Sequence, residues 1–402
     1  MITSRKKRLA IGLALTSTLG AGLLTGSANA DPQQYTAFAG VGSDTTEGVM
    51  NAMAGFSNGR FYTPIASNPS TVASVQGSFQ INSFDASKAA FVASNCITAK
   101  IGGPAFFRPN GSGAGQKALN QSAGLGGGWT GGGGCGVLQD ISGQVDFARS
   151  SSIPAAAGTD ATYIPFGRDA MSFAAFRPAG AIPVTDLSRQ QLVAIYNSTA
   201  ATRQVIGGVT MIPCGIQSNS GTFAFWNSAL GIAATENAAT QQCNDAGVVG
   251  RIQESDGPAL QAKGVALDVT LDNFQVISGF SAGNFISKTN GAGEPAPGAD
   301  VKIGSISDNG NGVNLGSPVV GTVAPLTPNA TFYNDATFGR FVYNVLPTAV
   351  VTGPGNAAKK KLFVGSTSSV CLNTAVIQTF GFLAIPDCGD ISRTRAWTTG
   401  AA

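Results

Sequence analysis

The segment Gly279-Phe280-Ser281-Ala282-Gly283 has the G-x-S-x-G spacing of a nucleophile elbow, and it follows an apolar run, Phe274 to Ile277. In such an elbow a serine at a sharp turn attacks an acyl group. The serine needs a base to take its proton, and the usual base is histidine. The 402-residue chain contains no histidine. No lysine after residue 30 has a serine three positions before it, so the S-x-x-K alternative is missing too. A serine hydrolase is therefore disfavoured, and the segment reads as a strand-to-loop turn of small residues. The same missing histidine excludes a His-ligated zinc, a Cys-His dyad and a haem with a histidine ligand. Asp308-Asn309-Gly310-Asn311-Gly312 starts like a calcium loop but lacks the terminal glutamate, which leaves a plain turn.

What remains is a set of four turns rich in Ser, Thr and Gly. They are Gly40-Val41-Gly42-Ser43-Asp44-Thr45-Thr46, Asn110-Gly111-Ser112-Gly113-Ala114-Gly115, Val145 to Ser152, and Ser218-Asn219-Ser220-Gly221-Thr222. Glycine lets the backbone approach a ligand closely, and the free N–H groups of a helix's first turn attract negative charge. Hydroxyls add donors without bulk. Four such turns together can cage a small oxyanion without a metal. Taken singly, each serine or threonine before a helix is adequately explained as an N-cap.

The elements that must carry these turns are legible in outline. Phe38 to Gly42 reads as a strand end and Thr45 to Phe56 as a helix. Ala161 to Arg177 is an apolar, β-rich stretch. Leu187 to Tyr196, Ser220 to Leu230 and Ala375 to Phe382 have helical spacing. Mixed strands and helices favour an α/β class. Gly124 to Gly136, mostly glycine around Trp129, lacks the Gly-Lys-Ser/Thr ending of a phosphate loop and reads as a flexible loop. Gly291 to Pro297 and Gly353 to Gly355 look like surface loops. Lys359-Lys360-Lys361 reads as a solvated charge run.

Composition bounds the setting. Charged residues make up 11% of the chain and 54 residues are glycine, against about 25% charged and about 7% glycine in an ordinary soluble domain. Arg5, Lys6, Lys7 and Arg8, then the apolar Leu9 to Leu24, then Ala28-Asn29-Ala30 form a secretory signal peptide over residues 1–30. No cysteine follows the apolar run, so no lipid anchor is expected. Removing the signal takes the net charge from +3 to −1. The basic excess thus belongs to the signal, and nucleic acid is not an expected partner. Cys96, Cys135, Cys214, Cys243, Cys371 and Cys388 are an even set in an exported chain, and they lack the C-x-x-C spacing of a metal site. Sequential pairing, 96–135, 214–243 and 371–388, is expected because each pair falls within one segment.

Taken in order, these segments resemble the phosphate-type substrate-binding proteins of ABC transporters. Gly40 to Thr46 sits where that family has its first ligand loop, and Gly111-Ser112-Gly113 resembles its second. Val145-Asp146-Phe147-Ala148 with the following serines looks like its D-F-x-x-S-D segment. Leu187 to Tyr196 resembles the helix after its crossover. Ser220-Gly221-Thr222 is similar to its S-G-T motif. Phe338-Gly339-Arg340-Phe341-Val342-Tyr343 and Gly381-Phe382-Leu383 also look like family features. The resemblance implies a periplasmic-binding-protein-like (type II) fold, two α/β lobes around a ligand cleft. Residues 31–165 would form the first part of lobe 1, 166–320 lobe 2, and 321–402 the return to lobe 1. It implies ligand contacts from Ser112, Ser220, Gly221 and Thr222, no cofactor, and phosphate as the leading ligand; Asp44, Thr45, Arg149, Ser150 and Ser151 in the same turns are further expected ligands. It also implies a monomer without stable membrane insertion that serves an ABC transporter permease.

Two departures stand out. Where the family has an Arg four residues before its S-G-T serine, this chain has Ile216. Where it has an Asp after the serine of the third turn, this chain has Ser151. Arg149 and Asp44 are the expected substitutes, with Arg108 and Arg168 as further candidates. Three readings stay open. They are a secreted oxyanion-binding protein, a binding-degenerate secreted or cell-surface protein of the same fold, and a hydrolase working through Ser281.

Overall fold

Sixteen consecutive residues, Ala161–Phe176, form one strand of the computed structural model, and the other strands are arranged about it. The structure describes residues 37–68, 79–87, 95–125, 128–130, 135, 138–232, 241–243, 251–268, 271–293 and 295–397. The expected signal peptide lies outside them. In chain order the elements that position the site are β1 (Phe38–Gly42), α1 (Glu47–Met53), β2 (Ile81–Ser83), α2 (Ser112–Ser122), β3 (Phe147–Ser150) and β4 (Ala161–Phe176). They continue with β5 (Val209–Pro213), α3 (Gly221–Leu230), β6 (Phe274–Ser281), α4 (Ala282–Thr289) and β7 (Gly339–Pro347).

The main sheet runs Val205–Ile206, β5, β6, β4, β7, β3, β1, β2. Strand β4 belongs to both of its halves. Ala161 to Ala170 pair antiparallel with β7, and Met171 to Phe176 pair antiparallel with β6. In the first half β1 is parallel to both β2 and β3. In the second, β5 is parallel to β6. Parallel neighbours need crossover connections, and helices supply them. Fifteen of the sixteen residues of β4 are buried, Arg168 being the exception. A strand covered on both faces reads as a continuous apolar run, which is why this stretch is conspicuous in the sequence.

Each half has its own core, which makes the molecule two α/β lobes. In the first lobe one cluster gathers Met50, Phe147, Phe166, Val342 and Leu362, and another gathers Val41, Phe106, Leu119, Tyr163 and Val345. The second lobe packs Phe173, Leu192, Met211, Trp226, Val276 and Phe280. Burial of such side chains contributes roughly 1.5–3 kcal/mol each. Capping chemistry fixes the helix starts. Ser220 Oγ accepts from the N–H groups of Thr222 and Phe223 at 3.0 and 3.2 Å, and Gly231 closes α3 in the left-handed conformation. Ser188 and Gln191 form a reciprocal capping box ahead of Arg189–Tyr196.

Three expectations change. Trp129 and Thr130 pair with Gln139 and Leu138, and Trp129 is buried with its indole N–H donating to the Phe107 carbonyl. That part of the glycine-rich segment is an anchored strand, because a large ring with one polar edge found both a core and an acceptor. Lys359 is held by Asp146 at 2.8 Å and lies over the Phe38 ring, and Lys360 donates to the Gly353 carbonyl, so these two are engaged by the fold, while Lys361, which donates to the Thr367 carbonyl, stays exposed. Ser281 stands between a strand and a helix, not a strand and a loop. The cysteines pair as expected, Cys96–Cys135, Cys214–Cys243 and Cys371–Cys388. Among the described residues no helix is long and apolar enough to cross a membrane.

Candidate functional site

The four hydroxyl-rich turns meet where β4 passes from one lobe to the other. Gly111 has φ +94°, and a Cβ there would stand 2.3 Å from the Asn219 carbonyl oxygen. Only glycine allows this approach, and it brings Gly113 N–H onto that same carbonyl at 3.2 Å. A Cβ on Gly221 would collide with three hydroxyls at once, Ser112 at 2.4 Å, Ser151 at 2.7 Å and Ser152 at 2.9 Å. The second, third and fourth turns therefore touch at the start of α3. Ser112 Oγ accepts from Ser151 N–H at 3.1 Å, and Ser43 Oγ donates to Ser151 Oγ at 3.2 Å, which adds the first turn.

Thr45 Oγ1 from the first lobe and Thr222 Oγ1 from the second lie 2.9 Å apart. Arg340 joins them. Its Nη2 donates to Thr45 Oγ1 at 3.3 Å and to Thr222 Oγ1 at 3.0 Å. Arg340 and Asp169 are register partners of β7 and β4, one residue before β4 changes neighbours. Asp169 Oδ2 accepts from Arg340 Nε at 3.0 Å and Nη2 at 2.8 Å. Both side chains are almost fully buried, at 0% and 2% exposed. The remaining nitrogen, Arg340 Nη1, is buried with no hydrogen-bond partner. Asp169 Oδ1 accepts from Ser281 Oγ and from Gly283 N–H, both at 3.0 Å. Ser281 Oγ also accepts from Asn284 N–H as the cap of α4. Its hydroxyl is thus committed to a cap and a carboxylate.

Glu254, like Arg340 and Asp169, is a site residue that sequence reasoning missed. It is fully buried. Its Oε1 accepts from the Thr45 backbone N–H at 2.9 Å and from Thr45 Oγ1, and its Oε2 accepts from Ser220 Oγ. A side-chain carboxylate from the second lobe thus occupies donors from both lobes that an oxyanion in the cleft would use. Next to it Gln253 bridges the lobes through Asp44 Oδ2 at 2.7 Å and through Asn110. Burial, with Glu254 beside it, pushes Asp44 up to about 7 despite the nearby Lys288 ammonium. Burial also drives Glu47 well above its ordinary value, with Asp85 and Asp44 adding to the effect.

The other expected ligands sort as follows. Ser150 Oγ donates to the Ser152 carbonyl and accepts from Gln116, so it shapes the turn. Arg149 is fully buried, and its hydrogen bonds among the described residues end on Gly40, Gly42 and Ser43 carbonyls and on Ser83 Oγ. These acceptors all belong to the first lobe, so Arg149 braces the first turn from beneath. Burial lowers its guanidinium from the usual value, and Glu47, Asp85 and Asp44 oppose that shift. Arg108 donates to the Asp85 carbonyl. Arg168 donates to the Tyr333 carbonyl and lies on the Phe341 ring. Ile216 is a core residue of the second lobe. Arg340 does sit inside the Phe338 to Tyr343 segment singled out above, but no local pattern marks it as a ligand. Glu254 lies in an ordinary-looking Gln253-Glu254-Ser255-Asp256 loop.

No family model matches this sequence, and no curated protein matches it. Among solved structures the chain is similar to a protein from Clostridium perfringens assigned as a phosphate ABC transporter substrate-binding protein, with phosphate bound. Identity is 13%, covering 87% of this chain and 99% of that one, at a TM-score of 0.45. An ABC-type phosphate transport receptor from Vibrio cholerae is 12% identical, covering 87% and 100%, at a TM-score of 0.44. A high-affinity periplasmic phosphate-binding protein with bound phosphate is 14% identical, covering 87% and 91%, at a TM-score of 0.42. The fold class stands on the shared strand and the two cores described above.

Proposed function

We propose that this chain is a secreted, non-enzymatic solute-binding protein that holds a phosphate-like oxyanion between its two lobes. The observation that carries the reading is Arg340, a buried guanidinium at the strand crossing that bonds a hydroxyl from each lobe and keeps one nitrogen unpartnered. Asp169 holds Nε and Nη2, so Nη1 is the guanidinium donor left for an anion oxygen, in a charge-assisted hydrogen bond. Arg340, not Arg149, then takes the part of the arginine missing at Ile216. Ser112, Ser151, Ser220, Gly221, Thr45 and Thr222 supply the surrounding donors, with Asp44 and Ser150 shaping the turns. The three disulfides and the leader favour export, into the periplasm where a second membrane exists. Delivery to an ABC transporter permease is the use this architecture serves. We take the lobes to divide near Ala170/Met171 on the outward strand and near Gly339 on the return, where the expectation puts 165/166 and 320/321.

Glu254 favours a second reading, in which the protein keeps the fold but has lost capture. A cleft already filled by its own carboxylate has no need of a ligand. Titration calorimetry on ligand-free protein separates the two. Saturable heat with phosphate, arsenate or sulfate supports capture. No heat and no thermal stabilisation with any of them leaves the degenerate reading.

A further inference from the structure

Beside the interlobe contact lies a groove of about 710 Å³. It is present with the lobes already touching through Gly113–Asn219 and Thr45–Thr222, so this closure does not remove it. Water takes about 30 Å³ in the liquid. By that scale a bare tetrahedral oxyanion needs roughly 60–90 Å³, a small part of the space. Volumes of about 300–1,000 Å³ are those of pockets that hold organic ligands.

The groove is chemically divided. One part of its wall is Arg340, Ser151, Ser152, Ser220 and Gly221, where α3 begins. Lys117 on α2 adds a second cation to the lining. A helix of ten residues turns its positive end to this part, with the Thr222 and Phe223 N–H groups capped by Ser220 Oγ and the Ser112, Ser151 and Ser152 hydroxyls packed against Gly221. Another part is apolar, formed by Ile153, Pro154, Ala224, Phe225 and Phe341. Phe225 carries the Arg340 guanidinium over its ring at 5.5 Å, so the aromatic wall adjoins the cationic group.

Resting on the oxyanion reading above, we infer that the ligand is an organic phosphate monoester, its phosphate on Arg340 and the serines and its apolar, ring-sized group against Phe225 and Phe341. An inorganic anion satisfies only the polar part. The apolar part of the wall then stays wet and contributes nothing.

The test is titration calorimetry of the full secreted protein with phenyl phosphate, inorganic phosphate and phenol. Phenyl phosphate is expected to bind at least tenfold more tightly than inorganic phosphate, with phenol showing no saturable heat. In Phe225→Leu, and separately in Phe341→Leu, the ratio of the two affinities falls towards one, with circular dichroism reporting that each variant is folded. Inorganic phosphate binding as tightly as phenyl phosphate overturns the inference and leaves the oxyanion reading standing. Failure of both anions to bind overturns that reading as well. Tight binding of phenol alone shows an apolar site and also overturns the inference.

Discussion

Replacing Glu254 by glutamine tests how the cleft treats a negative charge. Glu254 bonds Ser220 Oγ and the Thr45 N–H, which are themselves candidate ligands. A ligand oxygen on Ser220 therefore lies roughly 5 Å from this carboxylate, where two unit charges repel by about 3 kcal/mol at an effective dielectric of 20. That is about two orders of magnitude in affinity. Screening by salt and by water in the groove reduces it, so a ten- to hundredfold gain is expected for Glu254→Gln at low ionic strength. Glutamine keeps the shape and an acceptor oxygen, so the lobes stay in contact. The assay is titration calorimetry with phosphate at pH 7, wild type beside variant, repeated at high salt, where the gain should shrink. A variant that binds phosphate no more tightly than the wild type refutes the reasoning, since Glu254 would then not compete for the anion's donors.

Truncating Arg340 to alanine leaves Asp169 buried with only Ser281 and Gly283 as partners, and should cost about 3–5 kcal/mol in chemical denaturation; a loss under about 1 kcal/mol would deny the pair its place at the crossing. Asp44 and Glu47 hold protons in the folded state that the unfolded chain releases near pH 4, so their contribution is greatest below about pH 4 and declines as pH rises, that of Asp44 up to about 7. The denaturation midpoint should be higher at pH 5 than at pH 8 and Asp44→Asn should flatten the difference; a midpoint that rises with pH contradicts this. Removing Cys214 and Cys243 together should cost about 2–5 kcal/mol, read from the same denaturation curves, and an unchanged midpoint would mean the bond does not form. A fluorophosphonate probe should leave Ser281 unlabelled, since its hydroxyl is engaged by Asp169 and Asn284; stoichiometric labelling there would revive the hydrolase reading.

What the sequence discloses here is local. The cap at Ser220 and the buried run at 161–176 depend on neighbours within one element, and both are readable from residue type and spacing, whereas the capping box at Ser188 emerges only from the structure. Spacing predicts the first helix over Thr45 to Phe56 and it forms over Glu47–Met53, a difference at the ends, where fraying and turns decide. The four hydroxyl-rich turns were legible as a set, and glycine at 111 and 221 is what lets them touch. The charges of the site were not legible. Asp169 finds Arg340 across 171 positions and Thr45 finds Glu254 across 209, and no local pattern encodes such pairings. Arg149 drew attention because it stands in a recognisable segment, yet its strand turns it into the first lobe to satisfy backbone carbonyls. Lys359 looked solvated only because Asp146, its partner, lies more than two hundred residues away.

The central claim is that an oxyanion is held at the strand crossing on Arg340. Crystals soaked in tungstate, a heavy tetrahedral oxyanion, test it most directly through the anomalous signal of tungsten. The account predicts a single strong peak within hydrogen-bonding reach of Arg340, Ser151 and Ser220. A strong peak elsewhere with none at this place, or no ordered tungstate at saturating concentration, would contradict it.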